Sequence, residues 1–350
     1  MHKPKLWENI LSSPTPFLIA EIGVNHENNI ELAQRMIDAA KGAGADAVKF
    51  QTYKAEHLTI KDSPAYWDQT MEQTPSQYLL FKKYDHFGEK EFYFLADYCK
   101  AKEIIFLSTP FHLEAVDILD PLVPFFKIAS SDITNIPLIA YIAQKRKPIL
   151  LSTGASTIAE IDEAVNTIKQ NNNHEIGLLH CILDYPTKTK DANLNMIKHL
   201  KNVYPDMIIG YSDHTVPDDK MLILTLAYLF GAQIIEKHFT LDKSLPGNDH
   251  YHAMDPDDIT SFKNNLQLIA EASGKYYKEP LPCEENSRLY ARRSLVATVP
   301  IAPGQKITYQ MLTTKRPGTG VSPKFIKQVV GRRAGKQIQE DQIITWEVLH

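Results

Sequence analysis

The sequence predicts an α/β fold: a (β/α)8 TIM barrel followed by a small β-rich domain. Three observations predict it. First, eight short segments rich in β-branched and aromatic residues recur before residue 240, at 17–23, 46–53, 104–109, 125–130, 148–153, 176–182, 207–213 and 232–239. Near-continuous apolar runs of this length are strands buried on both faces. Second, the segments between them show apolar spacing near 3.6, the mark of amphipathic helices. Strict βα alternation demands parallel strands with right-handed crossovers, and eight of these can close into a barrel. Third, the polar residues embedded in these runs fall at the C-terminal ends of the strands, where such a barrel gathers its chemistry. An open doubly wound sheet is the alternative topology.

Taken in order, strand one closes on Glu21 within AEIGVNH, and Leu32, Met36, Ile37 and Ala40 share the next helix face. Strand two carries Lys49 and Gln51. Residues 54–88 then form a connection of some 35 residues, with Tyr53, Tyr66, Trp67, Tyr78 and Tyr84 at or near it. A βα loop that long reads as a lid or a dimer contact. Cys99 completes an apolar face with Phe92, Leu95 and Ala96, so it is a buried small hydrophobe. Strand three ends in Ser108-Thr109, strand four carries Lys127 and Ser130, and strand five ends in Ser152-Thr153-Gly154. The following helix opens on a Thr157-x-x-Glu160 capping box and shows Ile158, Ile161, Val165 and Ile168 on one side. Strand six carries His180 and leads to Tyr185, strand seven ends in Ser212-Asp213-His214, and strand eight carries Glu236 and His238. A last helix after Pro256 presents Ile259, Phe262, Leu266 and Ile269.

Residues 1–272 therefore read as the barrel, 273–293 as a polar, proline-bearing linker, and 294–350 as the small domain. Within the latter, IAPGQKITYQML and IQEDQIITWEVL align with their apolar positions in register, implying two similar halves.

The 350 residues include 38 basic and 42 acidic side chains, a formal net charge of -4. That balance, with no basic stripe, removes the electrostatic case for nucleic acid. No apolar run has signal-peptide or bilayer-spanning length, which points to the cytoplasm and away from membranes. Cys99, Cys181 and Cys283 are too widely spaced for a disulfide framework or a zinc knuckle, so reduced thiols are expected.

Lys49 and Lys127 each interrupt an apolar strand (AVKFQ, FFKIA), where an unpaired ammonium would be costly; each needs a ligand or a carboxylate. Converging with Gln51, Ser130, Ser152 and Ser212, they suit a small, multiply charged anion such as a phosphorylated carboxylate. Surface salt bridges are the bland alternative. His214 and His238 end neighbouring strands and could share a divalent ion, with manganese, cobalt or zinc favoured over calcium. A pair of hydrogen-bonded histidines is the competing reading. His250 and His252 form an H-x-H, but in a loop after Pro246-Gly247, and are not counted as ligands. Glu21 at the tip of strand one suits proton transfer or a bond to a sugar hydroxyl. His180 is a core or supporting histidine. KRPGTG (315–320) lacks the strand-turn-helix setting of a phosphate-binding P-loop.

The stretches AEIGVNHENNIELAQRMIDAAKGAGADAVKFQ, FLSTPF, FFKIASSD, ILLSTGAS, LLHC, IGYSDHT and EKHFT, followed by KRPGTG, together resemble the sialic acid synthase family of N-acetylneuraminate, legionaminate and pseudaminate synthases. The resemblance spans about residues 16–350. It implies a TIM barrel joined to an antifreeze-protein-like (SAF) domain, in a domain-swapped homodimer whose small domain reaches the partner's active site. The implied reaction is a transfer: phosphoenolpyruvate condenses with an N-acetylated amino sugar to a nine-carbon 2-keto-3-deoxy acid and phosphate. By this resemblance Lys49, Thr109, Lys127, Ser130, Ser152 and Ser212 hold phosphoenolpyruvate, and Glu21, Gln51, Tyr185 and Asp249 contact the sugar. Arg316 clamps its N-acetyl group from the other subunit. His214 and His238 hold a divalent metal, manganese or magnesium, and Glu21, with Glu236 as second choice, handles the proton or the attacking water.

One departure is Leu183, where some family members carry an Asn that donates a hydrogen bond; Leu183 is left out of the site and Asp184 has no assigned role. A Schiff-base aldolase using Lys127 or Lys49 and a non-catalytic sugar-binding barrel are the rival readings. Lys237 is excluded from any such role because its parity opposes that of Glu236 and His238. The acceptor stays open between N-acetylmannosamine and a 2,4-diacetamido-trideoxy hexose, with a 6-phosphate disfavoured by the lack of a basic cluster in GNDHYHAMD.

Overall fold

Eight parallel strands form the first unit of the computed structural model, which describes residues 5–350 except 68, 71, 172–174 and 248. They are β1 (Phe17–Gly23), β2 (Ala47–Thr52), β3 (Ile105–Pro110), β4 (Phe126–Ile128), β5 (Ile149–Ser152), β6 (Ile176–Cys181), β7 (Ile208–Asp213) and β8 (Ile234–His238). Their hydrogen-bonded order is β3-β2-β1-β8-β7-β6-β5-β4, and the two end strands lie against each other, so the sheet curls into a barrel. Helices follow the strands, as the alternation predicts.

Local chemistry sets the elements. The helix Ile30–Ala43 starts where the Asn29 side chain accepts the Leu32 N–H, and it stops at Gly44, whose φ of 104° suits a residue without a Cβ. Its Ala33, Met36, Ile37 and Ala40 are buried against the sheet, each large side chain contributing about 1.5–3 kcal/mol by leaving water. β4 is shorter than predicted. Its ladder to β5 ends at the Ile128–Leu151 pair, and the chain turns at once into a single 3-10 turn, Ser130–Asp132, so Ser130 stands just beyond the strand. The long 54–88 connection contains two helices of its own, Ala55–Leu58 and Gln77–Tyr84.

Side chains alternate across each strand. The lower inward layer is apolar, and the bottom of the barrel is filled by Trp7 from the helix Lys5–Ser12, edge-on to Phe125 at 5.6 Å. Gly177 makes room for it: a Cβ there would meet Leu150 Cδ1 at 2.8 Å and the Trp7 ring at 3.2 Å.

The chain divides into two compact units, Met1–Ala272 and Ser273–His350. The segment expected to be a linker lies within the second unit and carries the short helices Pro282–Glu284 and Glu285–Tyr290. That unit has an antiparallel pair, β9 (Ser294–Ala297) with β10 (Leu312–Lys315), over a core that includes Leu295, Ile301, Ile307, Ile338 and Ile344. The repeated sequences are repeated structures. Ile301 and Ile338, the first residues of the two copies, bridge each other through N–H···O bonds of 2.8 and 3.0 Å. Gln305 caps Ala302 as Gln342 caps Gln339, both at 2.8 Å, and each copy ends in a 3-10 turn, Tyr309–Met311 and Trp346–Val348. The backbone of KRPGTG is spent on structure: the Gly318 N–H goes to Leu289 O at 2.8 Å and the Gly320 N–H to Ser294 Oγ at 2.8 Å. Among the described residues no helix is long and apolar enough to cross a membrane.

Candidate active site

At the C-terminal ends of the strands the inward layer turns polar, and it lines a cavity of about 450 Å³, the size of a small-molecule site. The barrel residues assigned a role in the site from the sequence reach it: Glu21, Lys49, Gln51, Thr109, Lys127, Ser130, Ser152, Tyr185, Ser212, His214, Glu236, His238 and Asp249. Arg316 is in the second unit and exposed. From the 54–88 excursion, Tyr66, Leu80, Phe81 and Tyr84 add to the wall, whereas Trp67 instead turns away to donate to Glu72 O at 2.9 Å.

Both buried lysines have carboxylate neighbours. Lys49 is ion-paired with Glu21, donates to Thr109 Oγ1 at 3.1 Å, and lies 3.8 Å from Glu236 Oε1. Lys127 lies 3.7 Å from the same Glu236 oxygen and donates to Ser152 Oγ at 2.7 Å and Ile128 O at 3.1 Å. Burial depresses both ammonium pKa values. At Lys49 the Glu21 and Glu236 carboxylates overcome it, so the net shift is upward; at Lys127 burial outweighs the pull of Glu236, with Lys49 adding to it, and the shift is downward. The two carboxylates part in the same way. Burial lifts Glu21 in spite of Lys49, while at Glu236 the burial effect is outweighed by Lys127 and Lys49, which hold it below the usual range. Two carboxyl groups with pKa values pushed apart can take opposite acid and base roles. Glu236 Oε2 is buried with no hydrogen-bond partner, and Ser212 donates to Oε1 at 3.3 Å.

On the β4–β5 side, Ser130 Oγ accepts the Gly154 N–H at 2.9 Å. A Cβ on Gly154 would lie 2.9 Å from that Oγ and 3.2 Å from the Leu183 nitrogen, so only glycine lets these loops meet. Leu183, left out on sequence grounds, does line the cavity, as an apolar wall.

Imidazoles occupy the opposite side. His214 Nδ1 is 2.7 Å from the carbonyl oxygen of Ile182; a carbonyl only accepts, so Nδ1 carries the hydrogen and the Nε2 lone pair is left for a ligand. The His214 and His238 ring centroids are 5.4 Å apart, and Tyr185 covers His214 at 4.1 Å. His238 Nδ1 lies 3.3 Å from Asp249 Oδ2. Burial depresses the His238 pKa, but Asp249 outweighs it and raises it; Asp249 is in turn pushed well below the usual carboxylate range, its burial overcome by His238. Asn25 holds this loop by donating to Asp249 O at 3.2 Å and Phe239 O at 3.0 Å.

The H-x-H splits. His250 is engaged by Thr240 Oγ1 at 2.8 Å and lies 3.5 Å from Glu27. His252 is fully buried, its ring 4.9 Å from His238, and neither of its nitrogens has a hydrogen-bond partner. Burial drives its pKa well down, keeping the ring neutral. Ligand atoms of His238, Asp249 and His252 lie within 4.8 Å of one another. Neutral imidazoles, unpaired buried nitrogens and a carboxylate are a donor set that fits a borderline divalent cation.

Behind the site, facing the helix layer, Lys237 donates to Asp213 Oδ2 at 2.7 Å and Thr215 O at 2.5 Å. Parity excludes it from the cavity, as expected. His180 also faces outward, stacked on Tyr211 and 2.8 Å from Ala192 O. Cys181 lines the cavity, 3.8 Å from His214 Nδ1.

Residues 36–278 match the model of the NeuB family, and residues 292–349 match the SAF domain. The chain belongs to the NeuB family. Among its relatives, N,N'-diacetyllegionaminic acid synthase of Legionella pneumophila is 37% identical over 96% of this chain and 95% of its own length. Pseudaminic acid synthase of Helicobacter pylori is 34% identical over 92% and 94%. The crystal structure of N-acetylneuraminic acid synthetase from Leptospira borgpetersenii serovar Hardjo-bovis, in complex with citrate, superimposes with a TM-score of 0.68 at 35% identity, covering 79% of this chain and 91% of that one. The resemblance to sialic acid synthases and the barrel-plus-SAF architecture of this NeuB-family chain are thereby established, and with them a synthase-type enzyme.

Proposed function

We propose that this enzyme condenses phosphoenolpyruvate with an open-chain N-acylated amino sugar, N-acetylmannosamine or a 2,4-diacetamido-trideoxy hexose, to a nine-carbon 2-keto-3-deoxy acid and phosphate. One observation carries the reading: a single cavity joins two buried ammonium groups and a set of hydroxyls on one side to the neighbouring imidazoles of His214 and His238 on the other. The first half suits a compact polyanion, the second a cation that can meet a carbonyl oxygen.

In this reading Lys49, Lys127, Thr109, Ser130, Ser152 and Ser212 bind phosphoenolpyruvate, and Gln51, Tyr185 and Asp249 orient the sugar. Arg316 of a second copy, in a domain-swapped homodimer, reaches the N-acyl group. His214 and His238 would hold manganese or magnesium, which supplies Lewis-acid polarisation of the sugar aldehyde. C3 of the enol forms the new bond to the aldehyde carbon, water adds at C2, and phosphate leaves from the tetrahedral centre by C–O cleavage. Glu21, lifted by burial, is the proton carrier for the new hydroxyl or the attacking water, and Glu236 is the second candidate. The lysines offset the negative charge that gathers during departure of phosphate. The reaction is placed in the cytoplasm.

Phosphate release from phosphoenolpyruvate and manganese, measured with each candidate acceptor with and without a chelator, tests the proposal. Chelator-sensitive release with one sugar supports it and names the acceptor; no release with any overturns it. A Schiff-base aldolase is favoured by one feature, the lowered pKa of Lys127. Borohydride with pyruvate separates the two, trapping a covalent adduct only for the aldolase.

A further inference from the structure

We propose that His252 is a third imidazole ligand of the metal, beside His214 and His238. The inference rests on the metal-dependent reading above and assigns a residue that the two-histidine site leaves out.

His252 has no exposed surface and no hydrogen-bond partner at either nitrogen. A buried imidazole ordinarily satisfies at least one nitrogen, so this ring is short of a partner. Its ring centroid is 4.9 Å from His238 and 6.5 Å from His214, and these two are 5.4 Å apart. Ligand atoms of His238, Asp249 and His252 lie within 4.8 Å of one another, and the His214 ring adjoins His238. The backbone fixes the arrangement. Met254 N donates to His238 O at 2.7 Å, Thr240 N to Met254 O at 2.9 Å, and Ala253 N to His250 O at 3.1 Å, which ties the loop to the end of β8. Tyr185 and Tyr251 pack edge-on to the ring at 5.9 and 5.1 Å.

A third nitrogen changes the preference of the site. Imidazole suits zinc, copper, iron and nickel and raises affinity along the first-row series that begins with manganese, whereas magnesium prefers oxygen and water. The expected selectivity is therefore for a transition metal over magnesium.

The test uses the chelator-stripped full-length chain titrated with Mn2+ alone, with pulsed EPR to count coordinating histidine nitrogens. Wild type is expected to bind one Mn2+ with three histidine nitrogens. His252→Phe is expected to show two and to bind Mn2+ at least about tenfold more weakly, with a smaller loss for Mg2+. Two nitrogens in wild type overturn the proposal whether or not the variant folds, as does an unchanged affinity in a variant with a native circular dichroism spectrum. If wild type binds no Mn2+ and phosphate release survives the chelator, the metal reading of the reaction falls and this inference with it. If Mn2+ binds and only the His252 assignment fails, the two-histidine reading stands.

Discussion

Replacing Lys237 by Met isolates the ion pair beneath the site. Lys237 and Asp213 have 0% and 1% of their side chains exposed, and the ammonium bridges Asp213 Oδ2 and the Thr215 carbonyl. Asp213 is a hub: it also accepts from Tyr211 Oη at 2.8 Å, Thr215 N at 2.9 Å and Thr215 Oγ1 at 3.0 Å. Burial pushes its pKa up, but Lys237 overcomes this and holds it below the usual range. Met fills nearly the same volume, so the packing term is small and the loss is electrostatic. Removing one partner of such a pair strands the other charge, at about 3–5 kcal/mol. Asp213→Asn strands the ammonium at a comparable cost. The double variant leaves no net charge behind, so it should be less destabilised than the sum of the singles by about 2 kcal/mol or more. Urea unfolding followed by circular dichroism, with the barrel transition fitted separately from the small unit, gives all three values. Single losses below about 1 kcal/mol, or additive losses, would refute the reasoning.

Three further outcomes follow from the same geometry. His26, stacked on Phe87 at 4.3 Å, has its pKa lowered by burial from 6.5 to about 4. The unfolded chain therefore takes up a proton first as the pH falls, and the contribution of neutral His26 is complete above pH 6.5 and lost towards pH 4, by about 3 kcal/mol. His26→Gln should remove that share of the acid sensitivity in unfolding curves measured between pH 7 and 4. Lys127→Met should lower kcat/KM for phosphoenolpyruvate by about 100- to 1000-fold in the phosphate-release assay, and a loss below tenfold would take Lys127 out of the anion site. Trp7→Ala should cost about 3–5 kcal/mol, because nothing else can fill the base of the barrel; a loss under 1 kcal/mol in urea would mean the helix Lys5–Ser12 is not part of the core.

How much of this could be read from the sequence depends on how locally each feature is determined. Strand parity put Glu236 and His238 on one face and Lys237 on the other, because a two-residue period needs no knowledge of neighbours, and position at the strand ends marked Glu21, Lys49 and Lys127. The paired halves of the small domain were legible for the same reason: Ile301 with Ile338 and Gln305 with Gln342 repeat a local pattern. Contacts across the barrel were not. That Lys49 meets Glu21 follows from the β1–β2 register, in which the two are direct neighbours, and no spacing in one strand reveals it. His252 escaped because its burial depends on the loop folding back onto β8, a long-range choice that Pro246-Gly247 masks by looking like a surface turn. The two helices inside 54–88 are short, and in short segments a 3.6-residue period cannot establish itself.

Trp7 makes the barrel a cul-de-sac. With its base filled by indole, the chamber is approached from the C-terminal ends of the strands, where Tyr66 and Tyr84 are part of the wall. Traffic from one end has to be sequential: a reactant seated deeper must arrive before the one above it, and the product that forms beneath must wait for the one overhead to go. The order of binding is thus written at the far end of the protein from the chemistry, and product-inhibition patterns would display it.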